Sequence, residues 1–207
     1  MYEQQLVEVT GQTDILTMGI PYVCPYNPDG VMNPILVMCM GLGYLFNMYR
    51  NKPLVRQGGV IIMTHPTYRD FHPVHHPSYI DFFEQVLADT TDPVEIEQKY
   101  EKQFAEDEWY RHLYRTSYAY HGVHPFYMWY WASHGLKHCG RVIIVGGEPR
   151  SVRRLGFTPA AYRSAWLRLS GLTQVESITL MTHFADADAP GGLDRQCARL
   201  ACGGAAP

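Results

Sequence analysis

The sequence predicts an α/β protein built on a parallel sheet, and three stretches carry that prediction. Asp14 to Ile20 alternates weakly and is closed by Pro21, the pattern of a strand. An apolar run from Pro34 to Phe46 has the length of a buried helix, and Val60 to Met63 follows as a short strand without polar interruption. Strand, helix and strand make a β-α-β beginning, and an uninterrupted strand of this kind predicts a three-layer arrangement with helices on both faces of the sheet. Arg141 to Val145 is another strand of the buried type. Gly146-Gly147 comes after it, where the C-terminal edge of a parallel sheet lies and where ligands often bind.

The elements follow in order. The first strand leads into the turn Pro25-Tyr26-Asn27-Pro28-Asp29-Gly30. Asp29 and Asn33 are the two candidate caps of the helix after it, and Pro34 suits a first helical turn. Gly58-Gly59 is expected to turn the chain before the second strand. From Tyr79 to Ala132 the pattern is helical, with Ile80, Phe83 and Leu87 on one face and a charged helix from about Pro93 to Ala105. The acidic run Glu106-Asp107-Glu108 reads as a solvated helix start that favours the helix dipole. Tyr110, Tyr114, Tyr118 and Tyr127 read as core and helix-contact residues. In the tail, Thr158-Pro159 opens a helix to about Leu169, Ile178 to Met181 is a strand ending at Thr182-His183, and a last short helix fits Leu193 to Leu200. The tail is therefore expected to be a short C-terminal αβ appendage.

Composition bounds the function. The 207 residues are 46% hydrophobic and 18% charged, enough apolar material for a buried core, and about 150 residues per domain leaves one domain with a remainder. A net charge of −3 gives no general attraction to nucleic acid or to an anionic membrane. The Pro34 to Phe46 run falls short of the roughly 20 apolar residues of a membrane span. Five scattered cysteines without a CxxC, and no basic-then-apolar leader, predict reduced thiols and a cytoplasmic protein. Residue usage changes near position 149. Residues 1–148 hold ten basic and 16 acidic side chains, whereas 149–207 hold seven and four, with ten alanines and no lysine. Two regions are therefore expected, 1–148 and 149–207.

The histidines invite a metal reading that their spacing does not support. His72-x-x-His75 and His121-x-x-His124 come without a carboxylate or cysteine at familiar ligand spacing, so no metal site is assigned. His134 and His138, four apart on a helix, either chelate or pack near Trp129 and Trp131. His65, His72, His76 and His124 each precede a proline, which biases their backbones toward extended conformations. A proline-pinned loop beyond the second strand can present His72, His75 or His76 to a small-molecule substrate, and imidazoles titrate in the range of proton transfer. The other reading of this loop is structural and hydrogen-bonded. No GxSxG elbow is present, and His138 beside Cys139 makes no dyad, so nucleophilic hydrolysis has no support.

Two stretches resemble known families. About residues 7–147 resemble the C-terminal domain of the nickel-dependent lactate racemase family. The resemblance rests on the strand and turn Asp14 to Asp29, the helix after it, Gly58-Gly59-Val60-Ile61-Ile62-Met63, and the His-containing loop leading to Tyr79-Ile80-Asp81-Phe82-Phe83. It implies a Rossmann-like α/β domain that closes over a small 2-hydroxy acid, a nickel-pincer nucleotide, and an N-terminal racemase domain or partner chain that brings the catalytic groups. The family's substrate-facing glutamine and lysine fall near Asn33 and Leu36, which with His72, His75 and His76 leaves Asn33 on the ligand side.

The tail, about residues 152–200, resembles a stretch of bacterial alanine racemase. The match lies in Arg153-Arg154-Leu155-Gly156-Phe157 and Leu180-Met181-Thr182-His183-Phe184-Ala185-Asp186-Ala187-Asp188. It implies pyridoxal phosphate as cofactor, Arg154 hydrogen-bonding its phenolic oxygen and His183 packing by its ring. The lysine and tyrosine that complete that family's site lie outside this stretch. The expected functions are a domain orienting a lactate-like acid, a non-catalytic binding or assembly fragment with self-association, and a pyridoxal-phosphate racemase remnant.

Overall fold

The computed structural model describes residues 9–27, 30–47 and 52–155. The appendage expected after Thr158, including His183, lies outside the described residues.

Three parallel strands, β1 (Thr13–Gly19), β2 (Val55–Thr64) and β3 (Arg141–Val145), form one sheet in the order β1-β2-β3. Ile15 pairs with Val60 and Gly19 with Thr64, while Val60 pairs with Arg141 and Thr64 with Val145. β2 is longer at its start than the sequence suggests. Gly58-Gly59 lies inside the strand, in an irregularity that takes the register from Thr13↔Val55 to Ile15↔Val60. Gly58 has φ +74°, and a Cβ on Gly59 would sit 2.8 Å from the Asp14 carbonyl oxygen. The glycines thus bulge a strand instead of turning the chain.

Helix α1 (Pro34–Met38) continues without a break as a π-helical stretch, Cys39–Leu45. Asn33 caps it through Oδ1, which accepts from the Leu36 amide at 3.0 Å, and Pro34 takes the first helical position. After β2 come α2 (Pro77–Asp81, continuing to Asp89), α3 (Pro93–Ile96, continuing to Glu106), α4 (Glu108–Thr116) and α5 (His124–His138). Asp107 caps α4 by accepting from the Trp109 and Tyr110 amides, which gives the acidic run its structural role. A short helix, α6 (Pro149–Arg154), follows β3.

The helical layer is one-sided among the described residues, unlike the two-sided cover expected. Leu16, Met18, Ile61, Met63, Val142 and Ile144 share one sheet face and join the hydrophobic core, which α1 and α5 complete. The opposite face holds Ile15, Val60, Ile62, Ile143 and Val145, and Ile15 is 43% exposed. Topology gives the reason. Crossovers between neighbouring parallel strands are right-handed, and a sheet that grows in one direction sends both of them over the same face. Among the described residues, the uninterrupted run of β2 is covered on one face only. Of the four tyrosines read as core and helix-contact residues, Tyr110 is the buried one, and Tyr114 and Tyr127 make ring contacts with His121. Tyr114, Tyr118 and Tyr127 stand 56%, 85% and 47% exposed.

Candidate functional site: a histidine and tyrosine cluster and the sheet's C-terminal edge

The loop between β2 and α2 divides its histidines. His76 is fully buried, and its Nε2 lies 2.7 Å from the Tyr26 carbonyl oxygen, to which it donates. Its Nδ1 then accepts from Asn33 Nδ2, 3.4 Å away. Asn33, also fully buried, uses its amide oxygen on the α1 cap. The structure thus brings two of the predicted site residues together, and it turns their polar atoms inward on one another.

His72 and His75 are half-buried and stack on each other, with ring centroids 4.1 Å apart. His72 Nδ1 accepts from the Val74 and His75 amides at 3.2 and 3.0 Å, a turn closed by a side chain. His75 Nδ1 lies 2.8 Å from the Tyr118 carbonyl oxygen, so that nitrogen carries a proton. These two rings face outward where His76 faces the core.

Behind the loop lies a cluster that sequence reasoning did not assemble. Tyr120 stacks on His124 at 4.4 Å and on His76 at 5.7 Å, and the Tyr79 hydroxyl stands 2.6 Å from His124 Nδ1. Tyr26 meets the edge of His124 at 5.0 Å. Burial holds the His76 and His124 imidazoles down at about 4, with neighbouring histidines adding to the effect, so both are neutral near pH 7. Burial also raises the Tyr79 phenol well above its ordinary value and pushes the Cys39 thiol up to about 12. A cluster of neutral rings and protonated phenols and thiols orders the loop, and it offers no charge to an anionic substrate. The sequence signal available was the His-Pro pair at 124 and 125, which fixes the ring at the start of α5.

The second place is the C-terminal edge of the sheet. His65 follows β2 directly, its amide donating to the Val145 carbonyl at 3.2 Å, and is 4% exposed. Gly146 turns the chain after β3 with φ +81°. A Cβ on Gly147 would sit 2.5 Å from Val152 Cγ2, so this pair of glycines serves a reversal and close packing into α6.

Arg154 ends α6, with Nη2 3.4 Å from Glu84 Oε2, and Glu84 also receives Arg69 Nε. The chain's four lysines, Lys52, Lys99, Lys102 and Lys137, are all exposed, and Lys99 pairs with Asp89 and Glu95. A pyridoxal-phosphate racemase needs a lysine amine at the cofactor and an arginine free to face it. Arg154 pairs with Glu84 and every lysine is at the surface, so the described residues hold no buried amine for that group. Among the described residues, no three His, Cys, Asp or Glu side chains stand together as metal ligands, and no helix is long and apolar enough to cross a membrane.

Comparison with known proteins bears on the part of the chain that starts at this edge. The family "Alanine racemase, N-terminal domain" matches residues 146–202. This segment is alanine-racemase-like. The alanine racemase of Albidiferax ferrireducens is 47% identical over 70 residues, 34% of this chain and 18% of that protein. That of Acidovorax sp. is 60% identical over 45 residues, 22% and 12% of the two chains, and that of Delftia acidovorans 47% over 73 residues, 35% and 19%. The chain thus spans less than a fifth of the length of these relatives. The matches carry the alanine racemase resemblance and not the lactate racemase one. No solved structure matches the chain.

The matched segment begins inside the α/β unit. Gly147 packs beside Thr67, Glu148 donates its amide to the Pro66 carbonyl at 2.7 Å, and Ser151 and Leu155 are buried at 0% and 2% exposure. The racemase-like sequence is therefore built into the sheet's C-terminal edge over at least residues 146–155.

Proposed function

We propose that these 207 residues form a racemase-derived module without turnover of their own, in which an α/β unit carries an alanine-racemase-like segment. The reading is carried by the match over residues 146–202, set beside a lysine complement that is wholly at the surface. Racemisation of alanine with pyridoxal phosphate needs an amine held at the cofactor, whereas Lys52, Lys99, Lys102 and Lys137 all stand exposed at the surface. The test is to incubate the full chain with pyridoxal phosphate and L-alanine, measuring the cofactor's protein-bound absorbance and the D-alanine formed. The expected result is neither. A stable bound band together with D-alanine, both abolished by replacing one lysine, overturns the reading.

A second reading has its own observation. The stacked, half-exposed His72 and His75, on a loop pinned by Pro66, Pro73 and Pro77, favour a unit that covers a small 2-hydroxy acid held by a nickel-pincer racemase domain or partner chain. Asn33 and His76 then act by holding the loop in place rather than by touching the acid. Lactate racemisation that appears only when such a partner is supplied supports it, and no activity with the partner rejects it.

A further inference from the structure

His65 has one ring nitrogen accounted for and one not. The Thr67 amide donates to His65 Nδ1 at 2.9 Å, and a backbone N–H can only donate, so Nδ1 carries the lone pair and the neutral ring bears its proton on Nε2. That Nε2–H is buried and has no hydrogen-bond partner among the described residues. Leaving a buried donor unsatisfied is costly, and folded proteins pair nearly all of them.

The surroundings are prepared rather than loose. The Thr67 hydroxyl donates to the His65 carbonyl at 3.1 Å, and Thr67 is the only non-glycine with positive φ, 52°, among the described residues. The strained turn fixes the imidazole at the C-terminal edge of a parallel sheet, the position where open α/β sheets place ligands. The ring of Tyr22, itself 48% exposed, lies 4.8 Å from the His65 ring and places an aromatic surface beside it.

We propose that His65 Nε2–H is the anchoring donor of a binding site for a small monocarboxylate at the sheet's C-terminal edge. Charge selects this class. Arg69 is paired with Glu84, and the Glu148 carboxylate, which accepts from the Arg69 amide and the Ser151 hydroxyl, repels a dianion such as phosphate about twice as strongly as a monoanion. A single carboxylate oxygen fits one neutral donor beside an aromatic ring. The site stands on the α/β unit alone and does not depend on the chain's activity.

The test is an NMR titration of the full chain labelled with 15N-histidine and backbone 15N, using sodium acetate and sodium L-lactate, with sodium phosphate and sodium chloride as controls. Saturable shifts of the His65 Nε2–H and of the Thr67, Gly146 and Gly147 amides are expected with the two carboxylates only. His65→Asn retains an acceptor where Nδ1 lies and removes the Nε2–H, and it should weaken binding by roughly five- to tenfold at an unchanged melting temperature. Shifts that are linear and equal to those of sodium chloride overturn the proposal, as does saturable binding that leaves the His65 Nε2–H unmoved. If His65→Asn does not fold, the wild-type imidazole signal decides by itself.

Discussion

Asn33 does two jobs with one amide. Its oxygen caps α1 and its nitrogen faces His76 Nδ1. Replacing it by alanine removes the cap and leaves a buried imidazole nitrogen without a donor, and about 2 kcal/mol of stability should go with it, read from the urea midpoint. The buried histidines add a pH dependence with a definite sign. His65, His76 and His124 are held by burial at about 4, below the ordinary 6.5. Between those values the unfolded chain binds more protons than the folded one, so stability is complete above about pH 6.5 and falls as pH drops toward 4. Urea midpoints measured from pH 7 down to 4 should decline through this window, and less steeply in a His76→Gln variant. A flat profile contradicts the burial of these rings. At this scale the sequence is a partial guide. Asn33 was legible as one of two candidate caps, with Asp29, and Asp107 as part of a helix start because of its acidic company. The inward turn of His76 was not, because His72, His75 and His76 look alike in sequence. The Tyr26 carbonyl and Asn33, 50 and 43 residues away, hold the buried ring apart from the two half-buried ones.

The elements show why the sheet order could not be read while the elements themselves could. Each strand announces itself by a short apolar run closed by proline or glycine, and each helix by its cap and periodicity. Nothing local tells whether successive crossovers lie on one face or two. β2 has the composition of a strand buried on both sides, yet Ile61 and Met63 are fully buried while Val60, Ile62 and Thr64 are only partly so. The helical layer that covers the first pair depends on close approach. A Cβ on Gly135 of α5 would sit 2.7 Å from the Leu42 carbonyl oxygen of α1, and one on Gly41 would fall 2.2 Å from Met63 Sδ. Gly135→Ala should therefore lower stability by about 1–3 kcal/mol through overpacking against backbone that cannot yield, despite the better helix propensity of alanine. Gly41→Ala should cost less, because the opposing Met63 side chain is flexible. Paired melting curves check the order, and equal effects contradict the packing described.

On the scale of the whole molecule, the composition break near residue 149 and the onset of the racemase-like match at 146 coincide, and both lie at the sheet's C-terminal edge. The sequence made the change of character visible, through its alanines and missing lysines. It gave no sign that α6 belongs with the preceding sheet, because Leu155 and Ser151 are held by contacts that no local pattern records. A chain ending at Glu148 should melt well below one ending at Leu155, since Leu155 alone buries a side chain worth about 1.5–3 kcal/mol and the Arg154 to Glu84 pair is lost with it. The most direct measurement of the central claim, that the alanine-racemase-like segment is built into the α/β unit, is backbone hydrogen exchange on the full chain by mass spectrometry. The amides of residues 146–155 are predicted to be protected along with those of β3 and α5 and to open with them as denaturant is raised. Free exchange of 146–155 beside a protected β3 would contradict the account.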